Sequence, residues 1–190
     1  MKLKAFIILG FISAMFLPTK AEAVGNYSVG VGAVGNIYVA NSSPELNPGP
    51  GGYFYFDYRW SPQFSTQFSA LITTHDGTGR SANDDGILFI GLPTFDLKFY
   101  LLSDASRWDP YGLIGMGVYA VSEGSKTDGT TAVGVGANLG LGLDYYVTEQ
   151  LAVGFAGIYR SVGLIDSTGP GSNGTALFPF SLLANVSWHW

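Results

Sequence analysis

Phe178-Pro179-Phe180-Ser181-Leu182-Leu183-Ala184-Asn185-Val186-Ser187-Trp188-His189-Trp190 ends the chain, and every even position in it, Phe178, Phe180, Leu182, Ala184, Val186, Trp188 and Trp190, is apolar. The intervening Pro179, Ser181, Leu183, Asn185, Ser187 and His189 are mostly polar. Successive side chains of a strand point to opposite faces, so this two-residue period describes a β-strand with one face against hydrocarbon and the other against a wet or packed interior.

The same alternation recurs upstream. Tyr27 to Val39 sets Tyr27, Val29, Val31, Ala33, Ile37 and Val39 against Ser28, Gly30, Gly32, Asn36 and Tyr38. Tyr53 to Trp60 sets Phe54, Phe56, Tyr58 and Trp60 against Tyr53, Tyr55, Asp57 and Arg59, and Phe64 to Thr74 sets Phe64, Thr66, Phe68, Ala70 and Ile72 against Ser65, Gln67, Ser69 and Thr73. From Ile87 to Leu101 the odd positions Ile87, Phe89, Phe95, Leu97, Phe99 and Leu101 form the expected outer face, with Asp96, Lys98 and Tyr100 opposite and Pro93 marking a kink or bulge. Tyr111 to Val121 is apolar on both faces; Ile114, Met116, Val118 and Ala120 are assigned outward, Gly115 and Gly117 inward. Ala132 to Val147 and Leu151 to Val162 alternate again, with Asn138, Asp144 and Arg160 on their polar faces. With the last strand, eight are predicted.

Charge placement tests this reading independently. All six formal charges inside these strands, Asp57, Arg59, Asp96, Lys98, Asp144 and Arg160, fall opposite the apolar face; random facing would do this about once in 64. An Arg or Lys facing lipid at mid-bilayer costs roughly 2 to 4 kcal/mol, whereas an inward charge can meet its opposite. Three acids and three bases suit an ion-pair cluster in the lumen, and a solute-gating network is the alternative use of the same residues. The connections supply a second test. Ala40 to Gly52, His75 to Gly86, Ser122 to Thr131 and Gly163 to Thr175 are long; Ser61 to Gln63, Ser103 to Pro110 and Thr148 to Gln150 are shorter. Outer-membrane barrels alternate long external loops with short periplasmic turns, and an even strand count puts both termini on the periplasmic side.

Composition and the N-terminus agree. Hydrophobic residues make up 47% and charged ones 12%, too greasy and too uncharged for an ordinary soluble domain. Lys2 and Lys4 precede an apolar run from Ala5 to Leu17, and Ala21-Glu22-Ala23 offers a cleavage site. Residues 1–23 are therefore read as a signal peptide and 24–190 as one domain. Removing Lys2, Lys4, Lys20 and Glu22 from nine basic and fourteen acidic residues leaves six and thirteen, an acidic chain for which nucleic acid is a poor partner. With no Cys, disulfide staples and thiolate metal sites are excluded. The expected fold is all-β: an eight-stranded antiparallel transmembrane β-barrel. A secreted β-sandwich would instead bury the apolar residues and expose the charges.

Leu92-Pro93-Thr94 and Leu97-Lys98-Phe99-Tyr100, followed by Asp109-Pro110-Tyr111-Gly112-Leu113-Ile114-Gly115-Met116-Gly117, resemble the central hairpin of the OmpA/OmpW-type small outer-membrane barrels, and Gly142 to Leu151 is similar to their next hairpin. The resemblance covers most of residues 92 to 190. It implies a monomer in the cell outer membrane, in contact with outer-membrane lipid and lipopolysaccharide. In such proteins the last strand carries the signal for the barrel-insertion machinery, which here corresponds to Phe180, Leu182, Val186, Trp188 and Trp190.

Eight strands enclose a space that side chains can just fill. Tyr38, Tyr53, Tyr55, Tyr100 and Tyr146 are bulky inward residues, and the glycines of strands one, six and seven make room for them. The expected role is accordingly structural or surface-interacting and non-enzymatic, without metal or cofactor. Passage or binding of small hydrophobic solutes, as the OmpW resemblance implies, is the alternative. An enzyme acting on lipid A would need a His with a nucleophile or carboxylate near the outer leaflet. His189 lies at the periplasmic end; His75, beside Asp76 with Ser81 nearby, is the remaining candidate. The external segments carry Glu45, Asp76, Asp84, Asp85, Glu123, Asp128 and Asp166 against Arg80 and Lys126, an acidic rim without the ligand ladder of a calcium loop.

Overall fold

The computed structural model describes residues 26–41, 46–76, 86–102, 107–123, 131–166 and 175–190. The segment read as a signal peptide and most of the acidic rim lie outside them. Eight antiparallel strands run β1 (Tyr27–Asn41), β2 (Gly49–Ser61), β3 (Phe64–His75), β4 (Ile87–Tyr100), β5 (Trp108–Glu123), β6 (Thr131–Tyr146), β7 (Leu151–Asp166) and β8 (Thr175–His189). Each pairs with its sequence neighbour, and β1 pairs with β8 to close the barrel. The seam runs to the first residue of β1: Tyr27 N donates to Trp190 O at 3.2 Å, and Trp190 N to Tyr27 O at 3.0 Å.

The barrel is inside out relative to a water-soluble protein. Leu141, Val135 and Met116 are 72%, 70% and 67% exposed, while Asp57, Asp96, Lys98, Asp144 and Arg160 are buried. Aliphatic side chains could not tolerate that exposure as a continuous belt in water, whereas in a bilayer the belt is solvated by acyl chains. Among the described residues no helix is long and apolar enough to cross a membrane. At the end with the short turns, Tyr27 stacks with Trp190 and lies 4.9 Å from Tyr58, Trp60 stacks with Phe64, and Trp108 contacts Tyr145. These rings form the aromatic girdle expected where hydrocarbon meets headgroups. The tight turns here are fixed locally: Phe64 N donates to Ser61 Oγ at 3.0 Å, and Leu151 N to Thr148 Oγ1 at 3.0 Å.

Three sequence expectations need correction. Ile87 and Phe89 do not join the outer face; they are 1% and 0% exposed and point into the lumen. The ladder steps from Ser69↔Thr94 to Leu71↔Gly91, three residues on β4 against two on β3, and β5 shows the same count between Gly117 and Tyr119. This bulge at Leu92-Pro93 inserts one residue and reverses the parity of everything before it. Second, Asp109 belongs to β5 rather than to a turn, because that strand starts at Trp108. Third, β2 starts at Gly49 and β7 runs on to Asp166, so two of the expected external loops are shorter.

Inside, two apolar layers are stacked along the axis. Val34, Tyr100, Tyr111, Leu113, Ile158 and Leu183 form one; Leu71, Phe89, Tyr119, Val162, Leu164 and Leu177 form the other, toward the long-loop end. Polar residues fill the spaces between and below them.

Candidate functional site

The lumen near the short-turn end gathers the charges of β2, β4, β5 and β6. Lys98 Nζ lies 3.2 Å from Asp57 Oδ2. The two residues sit on strands separated by β3, where Ser65 faces Lys98 in register and Arg59 on the other side. A side chain as small as Ser65 leaves the way open for Lys98 to reach across β3, and its Oγ donates to Asp57 Oδ2 at 3.0 Å. The Lys98 ammonium also lies 4.6 Å from the Tyr111 ring and 5.2 Å from that of Tyr55, within cation–π range. Arg59 Nη1 pairs with Asp109 Oδ2 at 2.7 Å, and its guanidinium stacks 3.8 Å over Tyr100. The same guanidinium donates to the carbonyl of Pro62, tying the β2–β3 turn to β5 across the barrel mouth.

The upper lumen uses amides and hydroxyls. Asn138 Nδ2 donates to Asp96 Oδ1 at 2.7 Å, and Tyr119 OH donates to Asn138 Oδ1. Arg160 donates to Ser181 Oγ, Ser181 to Asn36 Oδ1, and Asn36 Nδ2 to Thr73 Oγ1 at 2.9 Å. Thr73 in turn lies 2.7 Å from His75 Nε2, and His75 Nδ1 2.9 Å from the Asn47 carbonyl. His75 is therefore the last, inward-facing residue of β3, 2% exposed, and not a loop residue as expected. Its described hydrogen-bond partners are a hydroxyl and a carbonyl, and the Tyr38 ring meets it edge-on at 5.1 Å.

Of the six inward charges, Asp57 and Lys98 pair with each other. Arg59 pairs instead with Asp109, which sequence reading had assigned to a turn. Asp96 and Arg160 are held by Asn138 and Ser181, and Asp144 Oδ1 is buried with no hydrogen-bond partner. All six face the lumen on two levels, so they form two networks and not one cluster. Leu182, Val186 and Trp188 of β8, and Trp190 just after it, are each about half exposed on the lipid face. Among the described residues no group of three or more His, Cys, Asp or Glu is placed to hold a metal ion.

Free space in the lumen is decided by the tyrosines. A Cβ at Gly30 would sit 2.2 Å from the Tyr55 ring, and one at Gly142 2.3 Å from that of Tyr111. Those rings occupy the space the glycines vacate. Tyr111 and Tyr119, two of the most important fillers, were missed from sequence because β5 is apolar on both faces.

A closed antiparallel cylinder with an aliphatic outer belt, an aromatic girdle and charges sealed inside is an integral β-barrel protein of the outer membrane. The family model described as "Outer membrane protein beta-barrel domain" matches residues 5–176, and the chain belongs to that family. No curated protein sequence matches the chain. Among solved structures, the chain is similar to Neisserial surface protein A, with a TM-score of 0.69, 13% identity, and coverage of 87% of this chain and 98% of that one. OprG of Pseudomonas aeruginosa gives a TM-score of 0.60 at 14% identity, covering 90% and 99%. Ail, the attachment invasion locus protein of Yersinia pestis, gives 0.57 at 15%, covering 87% and 99%. At these identities the likeness concerns the fold.

Proposed function

We propose that this protein is a closed, non-enzymatic barrel that serves the outer membrane as a structural or surface-interacting element, its external segments carried on a rigid, plugged cylinder. The observation behind this reading is the filling of the luminal glycine sites by the Tyr55 and Tyr111 rings, above a mouth crossed by Arg59 and Asp109. Dense packing leaves little for a solute to pass through unless several buried side chains move together. Ail has been crystallised with the heparin analogue sucrose octasulfate; the acidic external residues here disfavour such a polyanion and favour a cationic partner, or contact through divalent cations. The inward-facing setting of His75, whose ring nitrogens meet the Thr73 hydroxyl and the Asn47 carbonyl, supports the non-enzymatic reading.

The test is transport. Purified protein in planar bilayers and proteoliposomes should show neither conductance nor hydrophobic-solute uptake above a plugged barrel of equal size. Saturable uptake of a small apolar solute would replace this reading with that of a hydrophobic-solute carrier.

A further inference from the structure

The charges that bear on Asp144 in the lower lumen are one positive side chain short of balance. Asp57, Asp109 and Asp144 face Arg59 and Lys98, and each cation is already engaged: Arg59 with Asp109 at 2.7 Å, Lys98 with Asp57 at 3.2 Å. Asp144 is the carboxylate left over. It is 4% exposed, and its Oδ1 makes no hydrogen bond. Its charged surroundings are Lys98 and Arg59 on one side of the balance and Asp57 and Asp109 on the other. The remaining titratable neighbours are neutral phenols: Tyr53 and Tyr55 from β2, Tyr100 from β4, Tyr111 from β5 and Tyr146 from β6. From β8 come Asn185, which accepts the Tyr55 hydroxyl, and His189, whose Nε2 is shared with Ser187. Arg107, half-buried just before β5 with its Nε buried and unpartnered, is the remaining described cation at this end, and among the described residues no ion pair joins it to Asp144.

An uncompensated carboxylate in a dry interior is strongly disfavoured, and proteins meet the deficit by pairing or neutralisation. We propose that the lower lumen takes up one monovalent cation from solution, a proton or an alkali ion, at Asp144. A divalent ion fits poorly, since the acids are divided among separate partners and form no ligand cluster. The assignment rests on the closed lumen, because a water-filled pore would hydrate Asp144 directly.

Two measurements on the full barrel in detergent distinguish the sources. Infrared spectra at neutral pH should show a protonated-carboxyl stretch that Asp144→Asn removes, if the cation is a proton. If it is an alkali ion, the thermal midpoint should rise with sodium or potassium over choline at constant ionic strength, and Asp144→Asn should abolish the rise. In either case Asp57→Asn, which frees Lys98 for Asp144 without touching it, should also abolish the signal. This variant keeps the test decisive should Asp144→Asn fail to fold. Wild-type protein showing neither the stretch nor the cation dependence overturns the proposal, as does either signal surviving Asp57→Asn. Conductance of the same wild-type sample reports separately on whether the lumen is closed.

Discussion

Replacing Leu139 with Arg tests the orientation of the whole cylinder. Leu139 is 62% exposed near the middle of β6, and Val133 is 49% exposed six residues closer to the long-loop end of the same strand. At about 3.4 Å per residue and a tilt near 40°, those six residues span roughly 15 Å along the membrane normal. Half of an apolar band about 25 Å tall is shorter than that, so Leu139 lies deep in hydrocarbon while Val133 reaches its edge. Leu139→Arg should therefore cost about 2 to 4 kcal/mol, and Val133→Arg about 0 to 1. At about 1.4 kcal/mol per factor of ten, the first is roughly a 30- to 700-fold loss in the folding equilibrium and the second at most about fivefold. Reversible urea unfolding from lipid vesicles, followed by the fluorescence of the four tryptophans, reads both. In a soluble sandwich, Arg at so exposed a position would change stability by no more than about 0.5 kcal/mol. A Leu139→Arg variant as stable as wild type, or equal costs at the two sites, would refute the assignment of this face to lipid.

Other consequences can be measured in the same assay. Lys98→Met strands Asp57 and should destabilise the barrel by about 3 to 5 kcal/mol, much of it recovered in Lys98→Met/Asp57→Leu; additive losses in that cycle would show that the pair does not interact. Gly30→Ala drives a methyl into the Tyr55 ring and should cost about 1 to 3 kcal/mol, and Tyr55→Ala should remove most of that penalty when combined with it. Deleting Leu92 removes the extra residue of the bulge and would turn Ile87 and Phe89 toward lipid, emptying the upper apolar layer; a deletion variant that keeps its heat-resistant, compact migration on gels would contradict the parity argument.

The barrel was legible from sequence because one physical rule governs each residue separately: a side chain faces either lipid or lumen, and the period is two. The rule fails where counting fails. Pro93 signalled an irregularity, yet sequence alone could not show that the bulge adds a single residue, and that count decides whether Ile87 is outside or inside. Facing told which charges share the lumen but not their partners, since pairing depends on which strands lie across from each other and on what stands between them. Lys98 meets Asp57 because Ser65 is small, and Arg59 finds Asp109 because β5 begins three residues earlier than its ambiguous pattern suggested. Tyr111 and Tyr119 escaped notice for the same reason, as β5 is greasy on both sides and offers no contrast to read.

The hydrogen bonds between Tyr27 and Trp190 join the start of β1 to the residue that follows β8. Until the final strand arrives, β1 and β7 each present an open row of amides and carbonyls that hydrocarbon cannot accept. No partly formed sheet is then fit to enter the bilayer, and insertion must wait for β8 to join β1. The eighth strand thus completes the wall at the moment the wall becomes able to leave water.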